Sequence, residues 1–226
     1  MDWILSFAET RVLGCLLEKE MTTPDYYPLT FNSLIAACNQ KSNRNPVLTL
    51  DEDTVLKAIG DLRDKHLAIR VDVAGSRVAK FRHSLVHAFP LERNELAIIT
   101  VLLLRGPQTI GEIRTRSERM YAFRDLEEVE ITISGLIALA PDAVVADLPR
   151  QPGKKDRRYA HLLSGAADDQ TDAETQMPFS HQNSAGIPVA IDATARIADL
   201  IQEVDAQRTE LNQLRKDFEE FRGRFE

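Results

Sequence analysis

Apolar residues recur along this chain at two spacings, and the order of the spacings is repeated. Val12, Leu13, Leu16 and Leu17 fall three and four positions apart, which predicts a buried helical stripe over residues 7–19. Thr22-Thr-Pro-Asp-Tyr-Tyr-Pro28 reads as a connection, because its prolines remove amide donors and restrict the backbone. Residues 30–39 predict a short second helix, followed by the polar run Asn39-Gln-Lys-Ser-Asn-Arg-Asn-Pro46. Val55, Ile59 and Leu62 predict a third helix over residues 50–65, where Asp51, Glu52 and Asp53 suit the N-terminal end of the dipole. Residues 68–73 and 77–83 then flank Ala74-Gly-Ser76 as strand, turn and strand.

From residue 91 the same order returns. Residues 91–105 predict a helix stopped by Gly106-Pro107, and Thr109 with Glu112 forms a capping-box pattern for a helix over residues 110–121. Asp125 begins a third helix with Val129, Ile133 and Leu136 inward, and residues 143–148 and 156–163 predict two strands. The echo extends to residue identity. The segment starting at Glu9 reappears at Glu95, an offset of 86 residues, with Val12/Ile98, Leu13/Ile99, Leu16/Leu102 and Leu17/Leu103 in step. Lys80-Phe-Arg-His83 is likewise echoed by Arg158-Tyr-Ala-His161.

Three helices followed by a hairpin is the order of a winged helix-turn-helix domain. The expected fold class is therefore mainly α with small β-hairpin wings (α+β). It comprises winged-helix domains at residues 1–88 and 89–165, a flexible linker at 166–188 and an amphipathic or coiled-coil helix at 189–226. In that last segment Ile197, Val204, Leu211, Phe218 and Phe225 share one heptad position, and Leu200, Leu214 and Phe221 the other, interrupted by Gln207. Two readings fit: a homodimer through this helix, or an amphipathic helix docked on the protein's own body.

The residues also carry a family resemblance. Glu9-Thr-Arg-Val-Leu-Gly-Cys-Leu-Leu-Glu-Lys19, Thr22-Thr-Pro-Asp-Tyr-Tyr-Pro-Leu29 and Ala37-Cys-Asn-Gln-Lys-Ser-Asn-Arg-Asn-Pro-Val47 stand in the first unit. Leu102-Leu-Leu-Arg-Gly-Pro-Gln-Thr109, Arg114-Thr-Arg-Ser-Glu-Arg-Met-Tyr121 and Arg150-Gln-Pro-Gly-Lys-Lys-Asp-Arg-Arg-Tyr-Ala-His-Leu162 stand in the second. Over residues 5–165 the chain resembles the YceH family of uncharacterised bacterial proteins, departing from its pattern at Asn45, where the family usually has Glu. The resemblance implies a tandem winged-helix fold and brings no established activity. On this reading the tail lies outside it.

Charge changes the picture by its location. The net charge is −7, yet residues 1–90 and 91–165 each carry 11 acidic and 11 basic side chains, so the excess acidity belongs to the tail. The repeats are free to meet a polyanion. Candidate phosphate contacts are Arg77, Lys80 and Arg82 on the first hairpin and Arg150, Lys154, Lys155, Arg157 and Arg158 on the second. Arg114 and Arg116, with Lys41 and Arg44, complete the set, although internal ion pairs and turn chemistry also account for these residues. Phe81 and Tyr159 are expected to pack the hairpins onto the core. Against base reading stand the third helices: Asp51, Glu52, Asp53, Asp61 and Asp64 in the first unit, and Asp125, Glu127, Glu128 and Glu130 in the second. Carboxylates between two phosphate backbones are repelled.

Other chemistry is sparse. Gly106-Pro-Gln-Thr-Ile-Gly111 has the glycine spacing of a phosphate-binding loop but continues with Glu112-Ile113 in place of Lys-Ser/Thr. His83 and His87 have helical metal-pair spacing without a third ligand, and Cys15 and Cys38 read as buried free thiols of a reducing cytosol. No run reaches the roughly 20 apolar residues of a membrane span. The expectation is a cytoplasmic, non-enzymatic protein with no metal or cofactor. It contacts double-stranded DNA in the manner of a transcription regulator, or else serves as a protein-interaction scaffold without touching DNA.

Overall fold

A computed structural model describes residues 4–72, 78–139, 143–149 and 156–165. Helix α1 (Phe7–Thr22) leads through a 3-10 turn, Pro24–Tyr26, into the short strand β1 (Leu29–Thr30) and α2 (Phe31–Cys38). Then come α3 (Glu52–Asp64), β2 (Ala68–Val71), β3 (Lys80–His83) and the single turn α4 (Leu85–Ala88). The second half contains α5 (Arg93–Arg105), α6 (Ile110–Ser117), α7 (Leu126–Ile137), β4 (Val145–Asp147) and β5 (Tyr159–His161). Among the described residues the architecture is thus mixed α+β, with seven α-helices and two small antiparallel sheets.

Helix ends follow their capping chemistry. Ser6 and Glu9 form a reciprocal capping box on α1, and Thr109 and Glu112 form the one expected on α6. Asp51 and Asp125 accept the amides of Thr54 and Glu128 at 2.8 Å, opening α3 and α7 at equivalent points of the repeat. Gly106 ends α5 at φ 71°, a left-handed position that favours glycine.

Three elements were not anticipated from the pattern. β1 pairs with β3, placing Leu29 opposite Phe81, so the first sheet runs β1-β3-β2. The second half copies this in miniature: Gln108 and Tyr159 exchange backbone bonds of 3.0 and 2.8 Å beside the β4–β5 pair. Helix α4 is the third. The α6 helix also stops earlier than expected, because the Ser117 carbonyl accepts the Met120 and Tyr121 amides and turns the chain.

The two repeats share one core. On α1 every residue from Glu9 to Glu18 is buried, and on α5 every residue from Leu96 to Leu104. Each helix is therefore covered on all sides, where the periodicity had suggested one apolar stripe. Their contact is close because Gly14 has no side chain: a Cβ there would lie 2.8 Å from Leu104 Cδ2 and 3.2 Å from Leu103 Cβ. Further bonds join the halves, from Leu5 N to Leu163 O (2.8 Å), between the Thr10 and Ser164 hydroxyls (3.0 Å), and from Arg93 Nη2 to Met21 O (3.3 Å).

Beside this contact lies a buried charged cluster. Glu18 of α1 takes a bidentate bond from Arg44, at 3.1 Å to Nη1 and 2.7 Å to Nη2. Arg44 also donates to the carbonyls of Ala37 and Asn43, and only 4 % of the residue is exposed. Burial pulls the Glu18 carboxyl upward, but the Arg44 guanidinium outweighs it and holds the group below its ordinary range. Arg11, also buried, donates to Cys38 O (3.2 Å) and Pro46 O (2.7 Å). These bonds fold the irregular strap between α2 and α3 back onto α1. The strap then reaches α5, where Asn45 N donates to Leu104 O (2.9 Å) and Arg105 Nη2 to Asn43 Oδ1 (2.6 Å).

The close contact at Gly14 and the buried Glu18–Arg44 pair both set the stability expected of variants. Gly14→Ala should lower the unfolding free energy in urea by about 1–3 kcal/mol through overpacking. Gly60→Ala, whose Cβ would meet nothing within 4 Å, should raise it by about 0.5–1 kcal/mol. Glu18→Gln should cost on the order of 3 kcal/mol by leaving the Arg44 charge buried without its counter-ion, whereas the paired replacement Glu18→Leu with Arg44→Met should cost less than Glu18→Gln alone.

Candidate functional site

The basic residues singled out in the sequence do not converge. Arg44 departs furthest from the expected phosphate contact, since its guanidinium is sealed in the core against Glu18. Arg114 donates to Phe123 O (3.5 Å) and Arg124 O (3.0 Å) and straps the α6–α7 turn. Arg116 pairs with Glu112 at 3.2 Å, one helical turn away. Arg157 pairs with Asp147 across the β4–β5 hairpin at 3.2 Å. Arg158 donates to Pro107 O (3.0 Å) and stands 4.0 Å from Glu112. Burial raises the Glu112 carboxyl, but the Thr109 amide, Arg116 and Arg158 together bring it below its ordinary value.

Lys41, Lys80 and Arg82 remain without a side-chain hydrogen bond or ion pair among the described residues. Lys41 is exposed on the strap. Lys80 and Arg82 stand on the outer face of β3, opposite Val71 and Ile69 of β2. Arg77, Arg150, Lys154 and Lys155 lie outside the described residues, as do Ile197, Leu200, Val204, Leu211, Leu214, Phe218, Phe221 and Phe225 of the expected dimerisation helix.

The third helices expose a different surface. On α7, Val129, Thr132, Ile133 and Leu136 face the core, and the opposite face carries Glu127, Glu130, Ile131 and Ser134. Ile131 is 67 % exposed and Leu126 49 %. Glu128 is not free: it accepts from Tyr121 Oη (2.8 Å) and from the backbone and side chain of Arg124. On α3 the corresponding face exposes Glu52, Asp53, Lys57 and Leu56, the last at 56 %. Sequence reasoning found the carboxylates but missed the aliphatics among them, because the inward stripe alone was used to orient each helix.

His83 and His87 do not come together as a metal pair. His83 is buried with Nε2 against Glu20, while its amide takes the Tyr27 hydroxyl as acceptor at 2.7 Å, and His87 stands exposed on α4. Among the described residues no cluster of three or more metal-ligating side chains occurs. An open hollow of ≈ 510 Å³ is lined by Arg63, Asp64, His66, Arg70, Ser84 and His87. It holds the residue types of a nucleophile and a base, but the Ser84 hydroxyl donates to the His66 backbone carbonyl at 2.7 Å and not to an imidazole. No described helix is long and apolar enough to cross a membrane.

His161 repeats the position of His83 without its carboxylate partner. Its Nδ1 is cut off from solvent and unpaired among the described residues, although the residue as a whole is only half-buried. Burial pushes its pKa from 6.5 down to about 4. The unfolded chain therefore takes up this proton first, so the contribution is fully present above pH 6.5 and is lost as pH falls towards 4. Urea unfolding followed over this window should show His161→Gln with a shallower loss of stability than the parent chain.

The chain is similar to known proteins over most or all of its length. Residues 5–154 match the family described as protein of unknown function, DUF480. A UPF0502 protein of Pelobacter propionicus is 49 % identical over 226 residues, covering 100 % of both chains. A UPF0502 protein of Geobacter sulfurreducens is 48 % identical with the same full coverage. One from Photobacterium profundum is 45 % identical over 220 residues, 96 % of this chain and 97 % of its own. The tail, expected to fall outside the resemblance, is thus within the aligned length of these relatives. The chain belongs to the DUF480 (UPF0502) family of uncharacterised bacterial proteins, the family its sequence motifs resemble.

Proposed function

We propose that this protein is a non-enzymatic protein-interaction scaffold built from two winged-helix units, with the outer face of α7 as its principal docking surface. The observation that carries this reading is Ile131, 67 % exposed on a helix whose described charges are all negative. Exposed aliphatics beside carboxylates suit a partner that offers apolar side chains flanked by Lys or Arg. The same helix is unsuited to the major groove, where its carboxylates would lie between phosphates. The winged-helix assignment rests on the order of three helices and an antiparallel strand pair, present in both halves.

A second reading, DNA contact through the hairpins and the strap, is favoured by Lys41, Lys80 and Arg82, which make no side-chain hydrogen bond or ion pair among the described residues. It loses support from Arg44, Arg114, Arg116, Arg157 and Arg158, which are tied to internal acceptors.

A photoreactive residue placed at 131 in the full chain and expressed in its own host should give discrete adducts with one partner. Glu127→Lys with Glu130→Lys should abolish those adducts without altering the circular dichroism. The same protein should bind random duplex no more tightly than a neutral protein does at physiological salt. Tight duplex binding whose salt slope falls on Lys80→Ala with Arg82→Ala, together with adducts at 131 no different from those at exposed Lys57, would establish the DNA reading instead.

A further inference from the structure

The three first-unit segments that carry the family resemblance, residues 9–19, 22–29 and 37–47, meet at a cleft. Its volume is ≈ 460 Å³, within the range of roughly 300–1,000 Å³ typical of small-molecule sites. Lys19 lines it from the last turn of α1, Tyr26 from the 3-10 turn, Ser33 from α2, Gln40 from just beyond α2 and Lys80 from β3. Cations outnumber carboxylates there. Lys80 is half-buried on the central strand of its sheet, between Thr30 and Val71, with no side-chain hydrogen bond or ion pair among the described residues. The Lys19 side chain is only 18 % exposed and reaches Glu18 at 3.4 Å, but that carboxylate already takes two bonds from Arg44. Among the described residues Asp25, exposed, is the one carboxylate that lines the cleft. An ammonium drawn out of water without a counter-ion is costly, so the cleft favours an added anion.

Neutral groups add donors. Gln40 Oε1 accepts from Arg44 Nη2 (3.2 Å) and Lys19 Nζ (3.4 Å), which fixes the orientation of the amide and leaves its nitrogen unpaired among the described residues. The Thr30 and Ser33 hydroxyls share one bond of 2.9 Å, so one of their two protons is not used between them. Tyr26 supplies a different feature. It is 79 % exposed and makes no ring contact among the described residues. An uncovered aromatic ring beside a cationic cleft is a platform on which a flat ligand can stack.

We infer that this cleft binds a nucleoside monophosphate, with the phosphate held by Lys19 and Lys80 and the base stacked on Tyr26. A phosphate monoester brings about −1.5 to −2 charges at pH 7 and three acceptor oxygens. That is enough to engage both ammonium groups, which act on it as point charges, together with the Gln40 amide and the hydroxyl pair. The buried side chains of Leu29 and Ala37 give the cleft an apolar lining as well, so a ligand with a flat apolar body gains more there than a bare anion does. One ring and one pair of lysines match a single nucleotide. A nucleic-acid strand requires successive stacking platforms along a basic groove, and this cleft offers one. The inference goes beyond the scaffold reading and does not depend on the surface of α7.

Isothermal titration calorimetry of the full chain tests this with AMP, GMP, CMP and UMP, alongside the matching nucleosides, inorganic phosphate and a single-stranded oligonucleotide. At least one monophosphate should bind saturably, one per chain, and at least tenfold more tightly than its nucleoside or inorganic phosphate. Lys80→Ala and Tyr26→Ala should each weaken that binding at least tenfold. Lys80→Ala should also flatten its salt dependence, and Lys57→Ala on α3 should change nothing. Neither Lys80 nor Tyr26 has a side-chain partner to lose, so both variants should keep the parent circular dichroism. Absence of saturable binding by every monophosphate at millimolar concentration would overturn the inference, as would binding that both variants leave intact. Inorganic phosphate bound as tightly as the nucleotide would replace it with a bare-anion site, and an oligonucleotide bound more tightly would replace it with a strand-binding site. These comparisons use the wild-type chain and decide even if a variant fails to fold.

Discussion

The close approach of α1 to α5 at Gly14 is the constraint on which the rest of this fold depends. Two helices buried on every side must each be surrounded by other elements, and neither half of the repeat contains enough of them to do this alone. The second half covers the side of α1 that the first half leaves open, and the reverse holds for α5. A single methyl group on Gly14 would meet Leu104 below van der Waals distance, so the spacing of the helices is set by the Leu103 and Leu104 side chains resting directly on the bare backbone of Gly14.

Much of this was legible in the linear pattern because its causes are local. The inward positions of α1, α3, α5 and α7 follow from spacing, and the Thr109–Glu112 box follows from residues three apart. The short pairings did not, since β1 has two residues and the Gln108 bridge one, too few for any period to register. The fate of Arg44 was hidden for another reason. Its partner Glu18 is 26 residues away, and no local signal distinguishes a guanidinium that closes such a contact from one that waits for phosphate. The exposed aliphatics of α7 were legible but unused: Ile131 lies outside the Val129–Ile133–Leu136 stripe, and its position in the sequence already placed it on the solvent side.

Charge placement links these findings. Five of the arginine positions that made the repeats look suited to a polyanion are spent holding turns, hairpins and the strap in place. The carboxylates of the third helices stay largely at the surface, with Glu128 and the two capping aspartates as the structural exceptions. The surface of the described body is therefore set less by its balanced composition than by which charges are consumed inside it. The same accounting, applied to the core, isolates Arg11, whose bonds go to the backbone carbonyls of Cys38 and Pro46.

The bond from Leu5 N to Leu163 O brings the first and last segments of the described body side by side. In topological terms the path of the described body, residues 4–165, is nearly a closed ring, with its seam beside the N-terminus of α1. In a permutant of that body a short linker could join residue 165 to residue 4 and a cut elsewhere could open new ends, since what the fold needs is continuity across α1 and α5. The seam also fixes mechanical behaviour. Tension applied between residues 4 and 165 would act on a few bonds at one corner and peel the body open in sequence, where attachment points on opposite sides would have loaded the central helix pair all at once.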